Sequence, residues 1–213
     1  MAERDGVRRL MRVITYVDGF NLYFGLKSKG WRKYYWLDLW ALAERFLKNG
    51  QELKELVYCT SKVKNDQAAI GRQLTFLDAL QAYRPNLKVV YGHFLSKTDN
   101  CRNCGHPWNR HEEKRTDVNI ACNMLTDAMD DKFDIAFLIS ADSDLVPPVE
   151  IVRSRWPNKR VVAIFPPDRQ SGELKRACQG QLWIGEDKLR QCQLPQLVPI
   201  SGGNVASRPA HWA

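Results

Sequence analysis

Four aspartates in three separated stretches stand where chemistry is possible: Asp18 in "ITYVDGFN", Asp117 in "HEEKRTDVNIA", and Asp142 with Asp144 in "FLISADSD". Asp18 and the Asp142/Asp144 pair each end a short apolar run, and Asp117 opens an amphipathic one. Carboxylates gathered in one place repel unless cations balance them. Hard divalent ions such as Mg²⁺ or Mn²⁺ favour an all-oxygen shell of this kind. One or two of them, about 3.5–4 Å apart, would activate a water and stabilise the departing oxygen of a phosphodiester, with no nucleophilic side chain required. Each acid also has an ordinary use. Asp18 can cap a helix starting near Asn21, Asp144 can cap the segment holding Pro147 and Pro148, and Asp117 suits the first turn of a helix.

The elements that must bring these acids together alternate along the chain. Residues 12–18, 53–60, 87–95, 133–140 and 159–165 are short and rich in Val, Ile and aromatics, as strands are, and "GQLWIGEDKL" (180–189) holds a last short strand and turn. Between them, Leu39, Leu42, Phe46 and Leu47, then Ile70, Leu74, Leu77 and Leu80, then Ile120, Met124 and Leu125 fall at helical spacing. This alternation predicts an α/β fold of three layers, α/β/α and Rossmann-like, around a mainly parallel sheet of about five strands. In such sheets functional groups collect beyond the carboxyl ends of the strands, near the switch in strand order. Asp18 and Asp142 would share that rim, and the helix opened by Asp117 runs back from it. Residues two apart in an extended segment point the same way, so Asp142 and Asp144 are expected to converge. The organisation read from this pattern is a basic extension (1–11), one domain (12–195) and a mobile tail (196–213) rich in Pro, Gly and Ser.

A second group lies in "KTDNCRNCGHPWNRHEEKR". Cys101 and Cys104, followed by His106 and His111, offer four nitrogen and sulfur ligands within eleven residues. The Cys-x2-Cys spacing ahead of Gly105 suits two thiolates on one tetrahedral Zn²⁺. The histidine spacing departs from that of a classical zinc finger. Structural Zn²⁺ in a small knuckle insertion (97–112) is expected, against an exposed polar loop with two free thiols. Trp108 on the same loop can stack on a base or cover the metal.

Three blocks, "VDGFNLY" (17–23), "EKRTDVNIACNML" (113–125) and "ISADSDLVPPVE" (139–150), together with the ending "LKRACQGQLWIGEDKLRQCQLP", resemble the signature segments of NYN domains, the LabA-like branch of the PIN-like nucleases. The resemblance covers roughly residues 12–195. It implies a PIN-like fold and metal-dependent endoribonuclease activity that leaves a 5′-phosphate and a 3′-hydroxyl. It carries the Mg²⁺ or Mn²⁺ ligand role onto Asp18, Asp117, Asp142 and Asp144, matches Asn21 to the block's asparagine, which would orient a water or hold the Asp18 loop, and matches Ser140 to its small hydroxyl residue. Glu113 lies one helical turn before Asp117 and can face the same pocket or solvent. Some NYN proteins are thought to bind RNA without cutting it, so a non-catalytic RNA-binding module is the alternative.

The formal net charge of +8 favours a polyanionic partner, because each Lys or Arg that meets a phosphate releases a counterion. RNA, single-stranded or structured, is the expected partner, and assembly into a homo-oligomer is compatible with the sequence. Lys62, Lys64 and Arg72 follow the second strand, and Lys114 and Arg115 flank Asp117, so these are the phosphate contacts expected at the rim. "KSKGWRKYYWLD" (27–38) interleaves Lys27, Lys29, Arg32 and Lys33 with Trp31 and Tyr34 as single-strand binders do; alternatively Trp31, Tyr35 and Trp36 enter the core. No apolar stretch approaches the roughly 20 residues that span a bilayer, and a cytoplasmic protein is expected. Neither a Walker nor a dinucleotide Gly-rich loop is present. A haloacid-type phosphatase would need a second Asp where "DGFN" has Phe20.

Overall fold

The structure, a computed structural model, describes residues 9–64, 66–100 and 103–212, with residues 94–100 and 107–114 described by their backbone alone. Strands and helices alternate from the start: β1 (Met11–Asp18), α1 (Gly19–Ser28), α2 (Leu39–Glu44), β2 (Gln51–Thr60), α3 (Gln67–Tyr83) and β3 (Leu87–Tyr91). A hairpin follows, β4 (His93–Asn100) and β5 (Pro107–Lys114), and then α4 (Thr116–Met129). The second half runs β6 (Ile135–Ile139), α5 (Val146–Arg155), β7 (Arg160–Phe165), α6 (Gly172–Ala177), β8 (Gly180–Trp183) and α7 (Glu186–Gln191).

The central sheet has the order β3-β2-β1-β6-β7-β8, and every neighbouring pair is parallel. The chain lays strands outward from β1 on one side, then crosses to β6 and continues outward on the other. Right-handed crossovers therefore put α1 to α3 on one face and α4 to α6 on the opposite face, while α7 returns Leu189 to the first. The side chains record this with a period of two. Val13, Val17, Phe137 and Ile139 pack with α1, α2 and α3, whereas Ile14, Tyr16, Ala136 and Leu138 pack with α4 and α5. Burial on both faces explains why the strands read as unbroken apolar runs.

Three expectations are corrected. The sheet has six strands where about five were expected, the sixth being the short strand read in 180–189. The third strand stops at Tyr91 rather than at residue 95: Gly92 donates its N–H to Thr60 O (2.7 Å), and the chain turns away into the β4–β5 hairpin. The segment after Leu194, expected as a tail without structure, has strands of its own. It forms an antiparallel pair, β9 (Leu197–Pro199) with β10 (Val205–Ser207), and returns Val198, Ala206 and Trp212 to the core over α3. Pro, Gly and Ser serve there as turn formers, with Gly202 and Gly203 both at positive φ.

The end of the sheet opposite the aspartates is closed by Arg12. Its guanidinium forks onto Asp134 (2.9 and 3.2 Å) and reaches Asp131 (3.1 Å), while its backbone N–H donates to Asp134 (2.7 Å). That hydrogen bonding holds the Asp134 carboxyl below its ordinary value of 3.8. A carboxyl depressed in the folded state stabilises above its unfolded pKa and loses that contribution as pH falls through the folded one. Arg12→Gln should therefore lower the denaturation midpoint at neutral pH, with a gap to wild type that narrows below about pH 4. Chemical denaturation at several pH values reads this directly, and a gap independent of pH would contradict it.

Candidate metal centre at the strand switch point

The order of the sheet reverses between β1 and β6, which leaves a crevice beyond their carboxyl ends. Asp18 is the last residue of β1 and only 3% exposed. Its Oδ1 accepts the N–H of Asn21 (2.9 Å) and so caps α1, and its Oδ2 accepts the hydroxyl of Ser140 (2.9 Å). Capping and ligation do not compete here, since a carboxylate offers about four lone-pair sites.

Ser140, fully buried, joins the two strands. While donating to Asp18 it accepts the N–H of Asp142 (3.0 Å). Asn21 adds a second tie, its Oδ1 accepting the N–H of Ala141 (3.1 Å). The residues after β6 are thus hung from the end of β1 by two side chains. Replacing Ser140 with Ala removes two hydrogen bonds, the one it donates to the buried Asp18 carboxylate and the one it accepts from the Asp142 N–H, a loss of about 1–3 kcal/mol. The melting temperature of Ser140→Ala should fall by several degrees; an unchanged one would show that the tie carries no stability.

Asp117 reaches the crevice from the other face, in the first turn of α4. The residue before the helix, Arg115, adopts a left-handed conformation (φ 79°), uncommon for a side chain of this size, where the hairpin meets α4. Asp18, Asp117 and Asp142 each present a carboxylate oxygen within 4.8 Å of the others. Two ionised carboxylates at that spacing repel by about 3 kcal/mol at an effective dielectric constant near 20. A hard divalent cation among them reverses the sign of the interaction, and the donor set is the all-oxygen kind that Mg²⁺ or Mn²⁺ takes. The residues fit such an ion.

Asp144 departs from expectation. The strand ends at Ile139, and Asp142 caps a 3-10 turn (Ser143–Leu145), its Oδ1 accepting the N–H of Asp144 (3.0 Å). With three residues per turn, positions two apart diverge instead of aligning. Asp144 is exposed and lies outside the group of three.

The basic residues divide. Lys62 and Lys64 are exposed beyond β2, with Lys62 over the Tyr91 ring (5.1 Å), and Arg72 is half-buried on α3. Arg115 is exposed beside Asp117, and the side chain of Lys114 lies outside the described residues, as does that of Glu113. Within 27–38, Tyr34 and Trp36 are buried and Trp31 and Tyr35 pack against the core, so these rings are mainly structural. In the predicted zinc loop, Cys104 and His106 are exposed in the β4–β5 turn, where Gly105 has a φ of 70°. Cys101 and the side chains of Trp108 and His111 lie outside the described residues. The three aspartates are the one metal-compatible group among the described residues.

Missed from the sequence was an aromatic pocket beside this centre, lined by Tyr23, Tyr35, Tyr58, Phe76, His211 and Trp212 among others. Tyr58 sits under the start of α1, where a Cβ on Gly19 would meet its ring at 2.8 Å and the Cys59 carbonyl at 2.8 Å. Burial, with the nearby charge of Asp18 adding to it, pushes the Tyr58 hydroxyl up to about 12. "TYVDGFN" carried a signal for this contact, since a small residue after the strand allows a neighbouring ring to approach. Nothing in the composition of the tail pointed to Trp212.

Comparison with known proteins bears on the family and the fold. The NYN domain family profile matches residues 12–185. A curated relative, 6-hydroxy-3-succinoylpyridine 3-monooxygenase HspA of Pseudomonas putida (strain DSM 28022 / S16), is 24% identical over 242 residues, covering 95% of this chain and 75% of the relative. Among solved structures, a protein of unknown function, VPA0982 from Vibrio parahaemolyticus RIMD 2210633, superposes with a TM-score of 0.55 at 19% identity, covering 84% of this chain and 96% of that one. The last likeness bears on the fold alone.

Proposed function

The chain belongs to the NYN domain family, and on that premise we propose that it is a divalent-metal-dependent endoribonuclease. The observation that carries the reading is the convergence of Asp18, Asp117 and Asp142, from β1, α4 and the turn after β6, on one crevice at the strand switch point. Bound there, Mg²⁺ or Mn²⁺ supplies Lewis-acid polarisation of a phosphoryl oxygen. Asp18 and Asp142 are held for that task by Ser140, and Asn21 fixes the turn between them. Lys62, Lys64, Arg72, Lys114 and Arg115 are the proposed phosphate contacts, with RNA as the partner. Asp144 and a homo-oligomeric state are secondary to this reading. No helix among the described residues is long and apolar enough to cross a membrane, in keeping with the cytoplasmic location proposed.

Purified protein incubated with RNA should cleave it in Mn²⁺ or Mg²⁺ and stop in chelator. Binding without metal-dependent cleavage would instead make the chain an RNA-binding module. The name of the Pseudomonas relative supports a second reading, turnover of a substituted pyridine, and the aromatic pocket is the feature that favours it. Assaying the same preparation for consumption of 6-hydroxy-3-succinoylpyridine separates the two.

Structural Zn²⁺ held by Cys101, Cys104, His106 and His111 is part of the same proposal. The turn at Gly105 places Cys104 and His106 at the tip of the hairpin and favours them, whereas His111 pairs with Ser96 further along β5 and fits the site least. Elemental analysis should return about one zinc per chain, and a clearly substoichiometric value would remove it.

A further inference from the structure

The pocket beside the metal centre has a volume of about 360 Å³, at the small end of ligand sites and suited to one ring system. Its walls are a continuous run of aromatic side chains. Ring centroids lie 5.1 Å apart for Tyr23 and Tyr35, 5.7 Å for Tyr35 and Trp212, 6.2 Å for Trp212 and Phe76, and 6.5 Å for Phe76 and Tyr58. The run draws on α1, the segment before α2, β2, α3 and the C-terminal segment, so five parts of the chain are committed to one apolar slot.

Two further observations say what the slot is for. It borders the end of β1 that carries Asp18: Gly19 and Phe20, directly after Asp18, line it, and so does Thr60 at the end of β2, whose preceding residue, Cys59, pairs with Asp18. Its charged lining is of one sign. Lys27, Arg32 and Arg72 border it with no Asp or Glu, and among the described residues neither Arg32 nor Arg72 is in an ion pair. Unneutralised cations around an aromatic interior match a flat ring that carries an anion, which is the make-up of a nucleotide.

We propose that this pocket takes one unpaired base of the RNA strand, turned out of its stack, while the adjoining phosphate lies at the Asp18–Asp117–Asp142 crevice. The inference rests on the nuclease reading and adds its substrate class: single-stranded RNA, or a duplex in which a base can swing out. A base within an intact helix cannot enter such a slot without being unstacked and unpaired, whereas a free strand stacks on aromatic side chains regardless of sequence. Arg72 and Arg32 would hold the flanking phosphates.

The test needs a readout besides cleavage. In chelator, an unpaired oligoribonucleotide with 2-aminopurine at successive positions reports where a base stacks on protein rings. The companion series carries a single abasic residue at each position in turn. One position should show strong quenching, and removing that base should weaken binding about tenfold or more while other positions change little. Ala69→Trp, which fills the slot from α3, and Arg72→Ala should each reproduce the loss, with circular dichroism showing that both variants fold. Equal effects at every position, or wild-type binding by both variants, would overturn the proposal. So would a filled slot that disturbs binding of 6-hydroxy-3-succinoylpyridine but not of RNA. If the positional effect survives in a protein that never cuts RNA, the base pocket stands and the nuclease reading falls.

Discussion

Asp142→Asn should lower metal-dependent RNA cleavage by about 10³-fold and at the same time raise the thermal stability of the metal-free protein. The first effect follows from the donor set. Asp142 supplies one of three oxygens within 4.8 Å, and losing a ligand charge removes part of a Lewis-acid contribution worth several kcal/mol, where each 1.36 kcal/mol is tenfold in rate. The second follows from electrostatics. Without a cation the three carboxylates repel, and neutralising one relieves two of the three repulsions. Wild type should therefore melt at a higher temperature when Mn²⁺ is added, because the ion binds the folded chain, and the variant should lose most of that rise. Asp144→Asn, altering an exposed carboxylate outside the group, should cost much less activity. Unchanged cleavage in Asp142→Asn would remove the hydrolytic reading. A metal-induced rise that persists in it would move the ion elsewhere.

Trp212→Ala should destabilise the protein by about 3–5 kcal/mol, the range for deleting a large aromatic from a packed core, and lower its melting temperature by roughly 10 °C. Trp212 is only 9% exposed, and its ring meets Tyr35, Trp36 and Phe76 at centroid distances of 5.7, 6.4 and 6.2 Å. It is the point at which the C-terminal segment is anchored across α3. If that segment were a loose tail, the substitution would leave the melting temperature where it was. The same variant opens one wall of the aromatic pocket, so RNA affinity should drop alongside stability.

Much of the fold follows from local pattern. Strand and helix alternation, read from apolar runs and helical spacing, leads to a parallel sheet between two helical layers, because parallel strands need crossovers and crossovers cover both faces. Three of the four proposed metal ligands follow from it too. Asp18 ends β1, Asp142 follows shortly after the neighbouring strand β6, and Asp117 lies in the first turn of a helix running back from the same rim.

What failed depended on the chain's path at single residues. Asp144 was expected beside Asp142 because the strand seemed to continue through both. The chain instead leaves the sheet at Ile139 and enters a 3-10 turn capped by Asp142 itself, and side-chain direction in a turn has a different period. Pro, Gly and Ser after Leu194 suggested a tail without structure, yet the same residues build the turns of the β9–β10 pair.

By itself, then, the order of residues determined which elements form and which rim collects the acids, since both rest on periodicity over a few neighbours and on the handedness of connections. The tertiary structure alone decided which carboxylates approach within ligating distance, where the last tryptophan is buried, and that five segments enclose an aromatic slot beside the acids. Those outcomes arise from contacts between residues as far apart as Tyr35 and Trp212, and such contacts leave no trace in the spacing of adjacent positions.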